Sequence, residues 1–284
     1  MRILPRPSRR SGATDDLTYE PALIVTGISR SGTSYLCNLL HRFDNCVAVN
    51  EPREVISLLR EEEVPNGVPA FYAELRRRVA SGKRIENKLL GGEVVEDTAR
   101  YQVRHKYRPR VASRDFVLAV KNTREFLLRL EAVCSVMPAA RVVACIRDPA
   151  DTIASWKTSF PHLHAADVSP FTHHRTQMWL PDGQRAALAR IEAIAEPAER
   201  RAKWWTFLAE RVLEHRAVTT LVRYDELATR PDAVLTRVLD GYRPGDLQRP
   251  VEPSPPRSRR DDLDADDLDA IREHCAARAT ELGL

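Results

Sequence analysis

Residues 22–34 read ALIVTGISRSGTS, and the fold turns on them. The run 22–26 has the length and branched apolar content of a buried strand. Gly27 and Gly32 follow, five apart, and a helical pattern begins at Ser34 and runs to Arg42. Glycines between a strand and a helix let the backbone turn tightly and point successive N–H groups, with the helix N-terminus, at an anion. Ser31, Thr33 and Ser34 add hydroxyl donors. The nucleoside-triphosphate version of such a loop places Lys and then Ser/Thr after the second glycine, for the β/γ-phosphates and magnesium. Here Gly32 runs straight into Thr33 and Ser34, and the only cation is Arg30, two residues earlier. The loop keeps an anion cradle and moves its cation. Taken alone, it also fits a plain Gly/Ser turn that holds an arginine.

Working outward, further strand-length apolar runs lie at 46–49, 116–120, 141–146 and 218–222. Helical patterns at 53–62, 71–80, 125–136, 150–159 and 185–215 separate most of them, and Glu196-Pro197 is expected to break the last in two. Buried-type strands alternating with helices predict an α/β fold: a P-loop-type parallel sheet flanked by helices on both faces. The stretch 161–183, with four of the eight histidines and three prolines, reads as a loop or lid. Residues 249–261 read as irregular and 264–282 as a final helix. The organisation expected is a flexible N-terminal arm over 1–20 and one domain with irregular insertions over 21–284.

The 284 residues suffice for a sizeable core, and 43% hydrophobic with 30% charged residues is an ordinary globular balance. A net charge of +4 without a Lys/Arg tract interleaved with aromatics argues against nucleic acid and suits a basic cleft for a small anion. The basic start lacks the apolar core of a signal peptide, and no run approaches the ~20 apolar residues of a membrane span. The five cysteines (Cys37, Cys46, Cys134, Cys145, Cys275) are scattered, with no CxxC pair or metal-ligand spacing. Together these predict a reduced, cytoplasmic protein without structural metal.

A second anion-type unit lies at 141–156, RVVACIRDPADTIASW. A buried strand ends at Arg147; Asp148 as N-cap and Pro149 at the first helical position start a helix. Ser155 falls about two turns in. Arg147, at the carboxyl end of a strand, stands where open α/β sheets bind ligands. An ordinary surface arginine fits that position equally well in isolation.

The pair of motifs, strand–Gly loop with Arg30 and strand–Arg-Asp-Pro–x5–Ser, resembles the two cofactor motifs of the sulfotransferases that use 3′-phosphoadenosine 5′-phosphosulfate (PAPS). RSGTS, with Arg where other members have Lys, is most similar to the carbohydrate and tyrosylprotein branch and its bacterial relatives. The resemblance extends over LAVKNTREFLLRLEAVCSVMPAARVVACIRDP (118–149) and LVRYDELATRPDAVLTRVL (221–239), spanning about 21–240. It implies that Arg30, Ser31, Gly32, Thr33 and Ser34 bind the 5′-phosphosulfate and that Arg147 and Ser155 grip the 3′-phosphate. The implied reaction is in-line sulfuryl transfer to a hydroxyl, without metal, with PAP as product. Arg30 would stabilise charge on the leaving oxygen. Glu51, in VNEPR after the second strand, stands where relatives of this branch carry a catalytic glutamate and is the expected general base. For that it needs a raised pKa or a tight approach to the hydroxyl.

His41 and His105 are the alternative bases, since another branch uses histidine. Lys121 ends a predicted strand and would approach the leaving phosphate or the acceptor, or be a plain strand-end lysine. Arg257, Arg259 and Arg260 lie near where many relatives close a basic segment over the cofactor, but their spacing departs from the commoner pattern. Trp204 and Trp205 are expected to pack in the core rather than stack on adenine, and Arg223 is a possible site wall. His162, His164, His173 and His174 either line the acceptor pocket or are solvated. The absence of a signal favours a small-molecule, sugar or glycolipid acceptor. A degenerate P-loop small-molecule kinase and a non-catalytic nucleotide-binding relic are the competing readings. The kinase lacks its lysine and a clear magnesium carboxylate.

Overall fold

The structure, a computed structural model, describes residues 22–99, 101–172, 179–256 and 258–284. In chain order its strands are β1 (Ala22–Gly27), β2 (Cys46–Asn50), β3 (Ile85–Leu90), β4 (Glu93–Val94), β5 (Arg104–Tyr107), β6 (Val117–Lys121), β7 (Arg141–Ile146) and β8 (Thr219–Arg223). Five of them form a parallel sheet of order β2-β6-β1-β7-β8. Every residue of β1 is buried, as expected of a central strand covered on both faces. Side chains alternate across it: Leu23 and Val25 face one core with Leu36, Leu39 and Val143, while Ile24 faces another with Val47, Leu118 and Val120. A third core gathers Ile146, Ile153, Trp156, Trp204, Trp205 and Leu208.

All five parallel strands lie within one residue of the predicted runs. The helical stretch 185–215 divides at Glu196-Pro197 into Asp182–Glu192 and Pro197–Glu214, as proline requires. Two expected helices are interrupted. The 125–136 pattern splits at Arg129, whose buried guanidinium is drawn to the carbonyls of Leu59 and Glu62 at 2.8 and 3.1 Å. The last helix breaks at Cys275 into Ala265–His274 and Ala276–Leu282. The stretch read as a loop from 161 contains two helical turns, Pro161–His164 and Ser169–Thr172, pinned by buried Leu163 and Phe171. Among the described residues no helix is long and apolar enough to cross a membrane.

The largest departure from the sequence expectation is a second, antiparallel sheet of order β4-β3-β5 within 85–107. Gly91 and Gly92, with φ of 59° and 89°, make its two-residue turn, a conformation that glycine adopts without steric cost. Buried Asn87 stitches this sheet to the edge of the first. Its side chain accepts from the N–H of Asn50 at 2.9 Å and donates to the carbonyl of Ala48 at 2.8 Å, satisfying β2 groups that have no strand neighbour.

Candidate active site

The parallel strands all end at one edge, so the segments that follow β1, β2, β6, β7 and β8 converge there. They line a cleft of about 870 Å³, together with residues 93–98, Tyr101 and Gln102 and residues 249–252, Ser254, Pro255 and Arg259. Open α/β sheets bind ligands at such an edge, where the strand order reverses about β1.

The first loop enters this cleft through Arg30 (φ 71°) and Gly32 (φ 89°). A Cβ at Gly32 would stand 2.7 Å from a ring carbon of Tyr224, so only glycine fits. No side chain caps the helix Thr33–Leu40, which leaves its first amides for a ligand. Gly32, Thr33 and Ser34 line the cleft, and the Thr33 hydroxyl lies 3.1 Å from that of Thr123. Ser31 departs from expectation. Its hydroxyl is fully buried, its N–H donates to Ile28 at 3.2 Å, and it is not on the cleft wall; the loop's inward turn puts it underneath.

The second unit folds as its capping residues dictate. Asp148 accepts from the N–H of Asp151 at 3.1 Å with Pro149 at the first helical position, and the helix Pro149–Thr158 carries Ser155 onto the cleft. Arg147 stacks on the Tyr224 ring, 4.3 Å from its centroid, and donates to the carbonyl of Arg30 at 3.3 Å. Arg30 Nε in turn donates to Ser155 Oγ at 3.1 Å, so the two motifs are in direct contact. The other face of the Arg30 guanidinium is held by Asp97 in a bidentate pair at 2.6 and 3.0 Å. Of the tail arginines, Arg259 lines the cleft and donates to Thr158, while Arg260 pairs with Asp148 and Asp151.

Glu51 lies one residue past β2 with φ 52°, a left-handed conformation uncommon for a side chain of its size, found with Arg30 on the cleft. Its N–H still reaches the carbonyl of Lys121 at 2.8 Å, and its own carbonyl accepts from Arg104. Its carboxylate sits between two buried ammonium groups: Lys121 on Oε1 and Lys88 on Oε2, each at 2.5 Å. Burial by itself would raise the Glu51 pKa. The charges and hydrogen bonds of Lys121 and Lys88 overcome it and hold the carboxyl well below the usual range. The raised pKa that the sequence reading asked for is therefore absent; a close approach to the hydroxyl is the alternative that the geometry leaves.

The alternative bases do not line the cleft. His41 is half-buried with Nδ1 accepting from the N–H of Ala48 at 3.3 Å, and desolvation lowers its pKa to about 4. His105 is exposed on β5. His162 does line the cleft, stacked on Phe160, and burial lowers its pKa. His164 is exposed and bonds the Lys157 carbonyl. Trp204 stacks between Phe171 and Phe207, and Trp205 is equally buried, so both belong to the core. Arg223 pairs with Asp225 away from the cleft, and its neighbour Tyr224 is the wall instead. The N-terminal arm 1–20, His173, His174 and Arg257 lie outside the described residues.

Asp97, Lys88, Thr123 and Tyr224 escaped sequence reading. Lys88 comes from the second sheet and Asp97 from the loop between its strands β4 and β5; the clear signal of that sheet is Leu89-Leu90-Gly91-Gly92, a paired glycine after apolar residues.

Residues 21–242 match a family model described as the sulfotransferase family. Among solved structures, the chain is similar to a sulfotransferase from Alicyclobacillus acidocaldarius at 15% identity, covering 93% of this chain and 96% of that one, with a TM-score of 0.44. It is also similar to sulfotransferase STF1 from Mycobacterium tuberculosis H37Rv at 15% identity, covering 91% and 72%, with a TM-score of 0.38. The sulfotransferase domain of the Synechococcus PCC 7002 olefin synthase matches at 14% identity over 90% and 94%, with a TM-score of 0.40. Among curated proteins none matches in sequence.

Proposed function

Because the chain belongs to the sulfotransferase family, we propose that it transfers a sulfuryl group from PAPS to a hydroxyl of a small-molecule, sugar or glycolipid acceptor. The observation that carries this reading is the contact between the two anion-type motifs, Arg30 Nε to Ser155 Oγ at 3.1 Å, with Arg147 against the Arg30 carbonyl. The residues present fit the donor: an uncapped helix N-terminus, a glycine with no room for a Cβ, the hydroxyls of Thr33, Ser34 and Ser155 and the guanidinium groups of Arg30 and Arg147 line one cleft. In this reading Arg30, Gly32, Thr33 and Ser34 hold the 5′-phosphosulfate, Arg147 and Ser155 hold the 3′-phosphate, and Ser31 supports the loop from below. When bound, PAPS supplies an activated sulfuryl group whose departure leaves charge on the bridging phosphate oxygen.

Arg30 stabilises that charge, a contribution of about 3–4 kcal/mol for a well-aimed donor. Glu51 takes the proton of the acceptor hydroxyl, and its two lysines keep it ionised at neutral pH, so the base form is always present. Lys121, at the end of β6, balances charge between the base and the donor wall. The acceptor lies among Ile56, Leu90, Tyr101, Phe160 and His162, a mixed apolar and aromatic surface. Five free, scattered cysteines suit a cytoplasmic setting. Residues 21–284 form the catalytic domain in this reading.

Isothermal titration with PAP and with ADP, both free of magnesium, tests the donor site. PAP is expected to bind at least about tenfold tighter, a difference of about 1.4 kcal/mol in favour of a 3′-phosphate over a β-phosphate. Equal or absent binding would remove the donor assignment and put a kinase or a relic ahead.

A further inference from the structure

A carboxylate between two ammonium groups is orientated but weakly basic, and the two lysines reach it from different sheets. Lys121 belongs to the parallel sheet and to the stretch that resembles other sulfotransferases. Lys88 belongs to β3, outside the motifs and the two stretches, 118–149 and 221–239, quoted for that resemblance. Its side chain is 4% exposed, an expensive place for a charge unless it is paired. Its ammonium donates to Glu51 Oε2 at 2.5 Å and to Gln102 Oε1 at 3.1 Å. Its backbone is fixed on three counts: register with Arg104, an N–H to Asn87 Oδ1 at 2.9 Å, and a carbonyl that accepts from Val95 at 3.1 Å. Asn87 is the same residue that stitches β3 to β2, the strand that leads to Glu51. A group on a strand so anchored holds its partner more tightly than one on a loop.

We propose that Lys88 is a positioning residue for the transfer reaction, one that orients Glu51 and tunes it as a proton acceptor. The inference rests on reading Glu51 as the general base. Other charged and titratable groups act on Glu51 too: Lys121 from β6 and Arg104 from β5 by direct contact, and His162 from the helix Pro161–His164 and Cys37 from the helix Thr33–Leu40 through longer-range electrostatics. Of these only the two lysines touch the carboxylate oxygens. Removing the Lys88 charge takes away an attraction felt only by the ionised carboxylate, so Glu51 then binds its proton at higher pH. Arg104, which bonds the Glu51 carbonyl, cannot replace it.

The test is an infrared titration of the Glu51 carboxyl band in protein labelled with ¹³C-glutamate, taken as the difference from Glu51→Gln. Lys88→Met is expected to raise the protonation midpoint by about one pH unit or more, while Lys88→Arg leaves it near the wild-type value. Lys88→Gln, which keeps a donor without the charge, must show the same rise and serves should the methionine variant fold poorly. The acid limb of acceptor-free PAPS hydrolysis should move up with the midpoint. An unmoved midpoint in folded Lys88→Met and Lys88→Gln, or a rate loss equal at every pH, overturns the proposal. Full hydrolysis by Glu51→Gln would instead remove Glu51 as base, and the titration of its carboxyl would still decide whether Lys88 sets it.

Discussion

The five parallel strands and the three antiparallel ones meet at one cleft but contribute opposite things to it. The parallel sheet delivers backbone: strand ends, a glycine turn and two helix starts that aim N–H groups, Arg147 and Ser155 at one place. The antiparallel sheet and the loop beyond it deliver countercharge, with Lys88 on the Glu51 carboxylate and Asp97 on the Arg30 guanidinium. The cation and the base that the reaction would use are thus each held by an opposite charge from residues 85–107. In the proposed reaction a cleft built this way separates two jobs. One sheet would place the reacting groups, and the other would hold them in a defined charge state before substrates arrive.

That division is open to test. The largest effect is expected at Glu51 itself: Glu51→Gln should lower sulfuryl transfer by about 10²–10⁴, measured as turnover with labelled PAPS, because the base is lost while PAP binding stays. Arg147→Ala should weaken PAP binding by about 2–3 kcal/mol in calorimetry, through loss of a charge-assisted phosphate contact. An unchanged affinity there would strip the parallel sheet of its 3′-phosphate role. Asn87→Ala should destabilise the fold by about 1–3 kcal/mol in denaturant unfolding, since it leaves buried groups of Ala48 and Asn50 unpaired. If stability holds, the two sheets are not coupled through that residue. The smallest change carries the opposite sign. Asp97→Asn should tighten PAP binding a few-fold, about 0.5–1 kcal/mol, because an internal carboxylate no longer competes for Arg30. Weaker binding would make Asp97 an aligner of Arg30 instead of its occupant.

The legible parts of the fold share a physical property. The strands of the parallel sheet are buried on both faces, so each reads as an unbroken apolar run, and Pro197, Pro149 and Asp148 mark helix boundaries by local stereochemistry. The antiparallel sheet has strands of six, two and four residues, and β5 is Arg-His-Lys-Tyr. Strands so short and polar have no apolar pattern to read, and they exist because Asn87 and the edge of β2 satisfy one another. The split at Arg129 is of the same kind: a tertiary carbonyl site for its guanidinium outweighs helix continuity.

From the chain alone follow the α/β class, the anion loop with its displaced cation, the second loop with its capped helix, and Glu51 as a candidate base, because each is written in contiguous residues whose local stereochemistry acts over a few positions. Only the tertiary structure decides that Arg30 touches Ser155, that Ser31 turns inward, that Tyr224 and not Arg223 forms the wall, and that Glu51 lies between two lysines. Those facts depend on segments far apart in the chain, 125 residues for Arg30 and Ser155, brought together by strand order. The charge state of Glu51 is the clearest case. A base at that position needs a raised pKa or a tight approach to the hydroxyl, and two buried ammonium groups from distant strands drive the pKa down.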